Sequence, residues 1–109
     1  MARLTETELM SIMSTIIESY DGKADDFKVF LVKDSLHKTY AANGIPNVIT
    51  ADNPSFIIVQ AHIEGNWVVI DVDSLSEKNL WQRLENVGVP REQIVLAYKG
   101  EQLPEGSGV

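Results

Sequence analysis

The stretch from Phe56 to Val72 constrains the fold more than any other part of the chain. Ile57, Val59, Ala61 and Ile63 recur at every second position, the period of a pleated strand with one apolar face. The opposite positions run Phe56, Ile58, Gln60 and His62, turning from apolar to polar. Glu64-Gly65-Asn66 supplies a tight turn, and the alternation resumes with Val68, Ile70 and Val72 against Trp67, Val69 and Asp71. Two alternating runs joined by so short a turn fold as an antiparallel hairpin. An apolar hairpin cannot stand alone in water, so further strands or helices must cover it.

The flanking sequence supplies them. From Thr5 to about Tyr20, Leu9, Ile12, Met13, Ile16, Ile17 and Tyr20 form one helical stripe. Thr5 and Glu8 fit a capping box at its start, and Asp21-Gly22 marks its end. Phe27 to Lys33 reads as a strand, with Phe27, Val29 and Leu31 on one face and Phe30 and Val32 on the other. After a turn at Asp34-Ser35, Leu36 to Ala42 is expected to return as a second strand. Gly44 to Pro54 reads as a loop that holds Val48 and Ile49. A second helix is expected from about Leu75 to Val87, with a capping box at Ser74 and Glu77 and a stripe of Leu80, Trp81, Leu84 and Val87. Gly88 fits a left-handed cap, with Val89 folding back onto Leu84. Pro90 to Gln93 reads as one turn, Ile94 to Lys99 as the last strand, and residues 100–109 as a flexible tail. The expected architecture is a single α+β domain: a mostly antiparallel sheet of about five strands, with both helices packed on one face.

Composition narrows the chemistry. There is no cysteine, which removes thiol nucleophiles, thiolate metal sites and a disulfide framework. The formal net charge is −7 and the nine Lys and Arg are scattered singly, so no basic stripe faces a phosphate backbone and direct nucleic-acid binding is not expected. No stretch approaches the roughly 18 apolar residues of a membrane span, and no signal peptide precedes the first helix, so a cytoplasmic protein is expected.

No Gly-x-Ser-x-Gly elbow and no glycine-rich phosphate loop occurs. His62, with Asp71 and Asp73 on the returning strand, is the one place where a hard or borderline metal could be held. The polar end of a hairpin more often points to solvent, and neither a metal nor another cofactor is expected. His37 on an edge strand reads as a solvated histidine. A binding role is favoured over an enzyme. If both helices cover one face of the sheet, the other carries Phe56, Ile58, Gln60, His62, Trp67 and Val69. An open apolar cluster of that kind marks a partner interface, or self-association into a homo-oligomer.

The run Ala61-His62-Ile63-Glu64-Gly65-Asn66-Trp67-Val68-Val69-Ile70 resembles the XisI-like family. So do the helix stop Leu84-Glu85-Asn86-Val87-Gly88-Val89-Pro90 and the following Arg91-Glu92-Gln93-Ile94-Val95-Leu96-Ala97-Tyr98. The resemblance spans about residues 56 to 98. The chain departs from the family at the hairpin, where Glu64-Gly65-Asn66 stands for an Asp-Gly turn and Asp71 comes late, and at its Pro/Gly tail. The resemblance implies a controlling factor for excision of the fdxN element in cyanobacteria. It also implies a partner similar to XisH, a nuclease-like protein of the restriction-endonuclease fold. It carries over no catalytic residue. A second expectation is an antitoxin or immunity-type inhibitor of a nuclease, and a third is a small metal-dependent enzyme using His62 and Asp71.

Overall fold

The computed structural model describes residues 3–22, 26–74 and 79–103. Five strands form one sheet in the order β1 to β5: β1 Phe27–Asp34, β2 Thr39–Pro46, β3 Phe56–Glu64, β4 Trp67–Asp73 and β5 Ile94–Leu96. The first four make an antiparallel meander. β5 then lies parallel to β4, Val68 opposite Ile94 and Ile70 opposite Leu96, because α2 (Leu80–Asn86) carries the chain back across the sheet. With α1 (Glu6–Glu18), the result is the expected α+β fold.

Each helix lays its stripe on the same side of the sheet. Leu9, Met13, Ile16 and Ile17 of α1 and Leu80 and Leu84 of α2 share one core with Tyr40, Ala42, Val59, Ala61, Ile63, Val68 and Ile70. The Thr5–Glu8 capping box is formed: Glu8 N donates to Thr5 Oγ1 at 3.2 Å and Thr5 N to Glu8 Oε1 at 2.9 Å. α2 ends as expected. Val89 N donates to Leu84 O and Gly88 N to Glu85 O, with Gly88 at φ 105°.

Several elements differ from expectation. β2 begins at Thr39 and runs to Pro46, not from Leu36 to Ala42. Asp34 accepts a bond from His37 N at 3.1 Å and Lys38 takes a left-handed φ of 53°, so residues 35–38 close a longer turn and leave Leu36 81% exposed. The loop expected from Gly44 therefore starts after Pro46, and Val48 and Ile49 project from it into solvent. Gly44 belongs in the strand because the ring of its cross-strand neighbour Phe56 fills the space of a side chain there. The last strand stops at Leu96, and Ala97–Lys99 forms a 3-10 turn.

The expected start of the second helix and Glu77 lie outside the described residues. Described α2 opens at Leu80, whose N–H donates to Asp73 Oδ2 at 2.8 Å. Ser74 instead ties β4 back to β3, its Oγ donating to Ile58 O at 2.8 Å. Most of the tail, residues 104–109, also lies outside the described residues.

Candidate functional site

The sheet face away from the helices is set by two irregularities. Between β2 and β3, Ala42 pairs with Val59 but Asn43 with Ile57, so Ile58 is an extra residue. Between β3 and β4, Gln60 pairs with Val72 but Ala61 with Ile70, so Asp71 is extra. A bulge of this kind reverses the in–out parity of everything beyond it.

The consequence corrects the expected cluster. Ile58 turns into the core beside Val59 and is 2% exposed. Phe56 also lies on the helix side, its ring 5.4 Å from Phe27 in an edge-on contact. Ile57, assigned to the core by simple alternation, faces outward and is 41% exposed. Of the six residues expected together, Gln60, His62, Trp67 and Val69 share the outer face, while Phe56 and Ile58 do not. Phe30 and Val32 of β1 complete the apolar part of that face, as their alternation predicts.

Trp67 is not open. The Arg3 guanidinium lies 4.5 Å from its ring centroid, a cation–π contact that shields the indole. Gln93, at the end of the expected Pro90–Gln93 turn, holds this arrangement in place. Gln93 is fully buried; its Nε2 donates to Leu4 O at 3.0 Å and to Asn66 O at 2.7 Å, and its Oε1 accepts from Leu4 N at 2.9 Å. One amide thereby ties the N-terminal segment to the hairpin tip. Gln93 follows Arg91 and Glu92 in a polar turn, so nothing in the local pattern signals its burial.

His62 and Asp71 are brought together, as their positions on facing strands suggested. His62 Nδ1 lies 2.7 Å from Asp71 Oδ2, and Nε2 lies 2.9 Å from Glu64 Oε2. Partial burial works against the imidazolium. The hydrogen bonds and charges of Glu64 and Asp71 outweigh it and raise the His62 pKa above the usual histidine value. Both ring nitrogens donate to carboxylates when His62 is protonated, and neither is left to ligate an ion. Among the described residues no group of three or more metal-ligating side chains is assembled. The cluster is suited to cross-linking two strands and presenting a net negative charge. His37 sits in the β1–β2 turn, its Nδ1 2.7 Å from Asp34 Oδ2. Among the described residues, no helix is long and apolar enough to cross a membrane.

This architecture, a four-strand meander extended by one parallel strand with two helices on one face, is similar to that of two solved XisI-like proteins. An XisI-like protein from Anabaena variabilis superposes with a TM-score of 0.63 over 93% of both chains, at 21% identity. The fdxN element excision controlling factor XisI from the same organism gives 0.66 over 84% of this chain and 90% of its own, at 18% identity. At such identities the likeness is one of fold. No protein-family model and no curated protein matches the chain.

Proposed function

We propose that this protein is a non-catalytic controlling factor of site-specific DNA element excision, acting by binding a nuclease-like partner similar to XisH. The observation that carries the reading is the fold match to two XisI-like proteins over most of the chain, one of them named as an excision controlling factor. The chemistry of the outer face is in keeping with it. His62 is committed to two carboxylates, so the most reactive side chain there is used in structure. The net charge of −7 repels DNA and complements the basic surface of a protein that grips DNA. Gln60 and His62, part-exposed on the β3–β4 hairpin, form the proposed contact; Val69 beneath them is only 5% exposed, and Trp67 is reached only if Arg3 moves off its ring.

Co-expression with the XisH-like protein of the same organism, followed by size-exclusion chromatography, tests the reading. Co-elution is expected, and Gln60→Arg, at the centre of the contact, should weaken it at least about tenfold. Separate elution of the two proteins at micromolar concentration would overturn it.

A further inference from the structure

β1 is the long free edge of the sheet. Asp26 O accepts from Asn47 N at 3.1 Å, so the backbone groups of the even-numbered residues point toward β2. Those of the odd-numbered residues therefore point away from the sheet, as the 3.1 Å bond from Val29 N to Gly22 O confirms. Gly22 caps that single N–H. The outward N–H and C=O groups of Leu31 and Lys33 have no partner among the described residues. An uncapped edge of this length is a template for another strand.

The side chains on β1 specify which strand. Its outer face reads Lys28, Phe30, Val32, Asp34. Reversed about Leu31, that series is complementary to itself. Lys28 meets Asp34, Phe30 meets Val32, and the same pairs repeat in mirror order across a two-fold axis. Phe30 and Val32 are 48% and 40% exposed, and Lys28 makes no ion pair among the described residues. Asp34 is held ionised by its bond to His37, which lowers its pKa.

We infer that β1 pairs antiparallel with β1 of a second copy of this chain, with the dyad at Leu31, joining two five-stranded sheets into one. Leu31 N–H of each copy donates to Leu31 O of the other, and Lys33 N–H donates to Val29 O of the second copy. At Val29 the second copy's Lys33 carbonyl replaces that of Gly22, one bond for one. The interface consists of strand bonds, two apolar pairs and two flanking ion pairs. Its area is below that of a standard stable interface, so the dimer dissociates on dilution. The inference is independent of the nuclease-partner reading, because the proposed partner contact lies on the β3–β4 hairpin.

Sedimentation equilibrium of the full chain, from micromolar to millimolar concentration, tests it. A monomer–dimer equilibrium is expected. Lys28→Asp places two carboxylates opposite each other and should raise the dissociation constant about tenfold. Leu31→Pro removes the outward N–H, together with a part-buried side chain on the helix side, and should do at least as much. The double swap Lys28→Asp with Asp34→Lys should recover most of the loss. Circular dichroism checks that each variant keeps its fold. A monomer at every concentration, or a dimer indifferent to Lys28→Asp or Leu31→Pro, would overturn the inference. Lack of recovery in the double swap would overturn the Leu31 dyad.

Discussion

Replacing Gln93 with leucine isolates a fully buried amide that joins the N-terminal segment to the sheet. Leucine keeps most of the volume, so the change tests hydrogen bonding rather than a cavity. Three bonds are lost, at 2.9, 3.0 and 2.7 Å, and Leu4 N–H, Leu4 C=O and Asn66 C=O are left without the amide. A net of about 0.5–1.5 kcal/mol per bond gives roughly 2–4 kcal/mol. Leu4 is only partly buried, so water compensates in part and the lower end is expected. For a domain of this size that lowers the Tm by about 8 °C or more. Urea unfolding followed by circular dichroism measures the free energy, and hydrogen exchange at the Leu4 amide locates the loss. Leu4 should lose protection well before the β3–β4 amides. Release of the segment also lifts Arg3 from Trp67, so the indole emission should shift to the red. Stability within about 0.5 kcal/mol of wild type, or unchanged Leu4 protection, would refute the assignment of Gln93 as the tether.

Folding raises the His62 pKa. Its stabilising contribution is therefore complete below the unfolded value of about 6.5, and is lost as pH rises through the higher native value. His62→Gln should then cost more at about pH 5.5 than at about pH 9 in parallel urea titrations, and an NMR titration of the wild type should place His62 above free imidazole. Gly44→Ala puts a Cβ into the space the Phe56 ring occupies and forces the ring off Phe27. A loss of about 1 kcal/mol is expected in thermal unfolding, and it should largely vanish in a Phe56→Ala background. Asp73→Ala removes the acceptor for Leu80 N–H at the start of α2 and should cost about 1 kcal/mol, read as a drop in urea midpoint with unchanged slope.

Much of this fold is written in local pattern. The alternation of Phe56 to Val72 with the Glu64-Gly65-Asn66 turn determined a hairpin, because pleat and turn geometry act over a few residues. The Thr5–Glu8 box and the Gly88-Val89 stop determined helix ends for the same reason: each satisfies orphan backbone groups within one turn. The nearness of His62 and Asp71 was legible too, since a hairpin lays its two strands side by side, although His62 pairs with Val69 and Asp71 is the bulge residue. What the tertiary structure decided was non-local. Ile58 enters the core and Ile57 leaves it because β2 and β4 pair with β3 in shifted registers, and no residue of β3 announces the bulge. β5 is parallel because α2 crosses the sheet before it, and Gln93 is buried because its partner Leu4 lies 89 positions away. The outer face therefore shows Phe30, Val32 and Ile57 where alternation alone placed Phe56 and Ile58: side-chain direction along a strand is local, but the register that sets its sign belongs to the whole sheet.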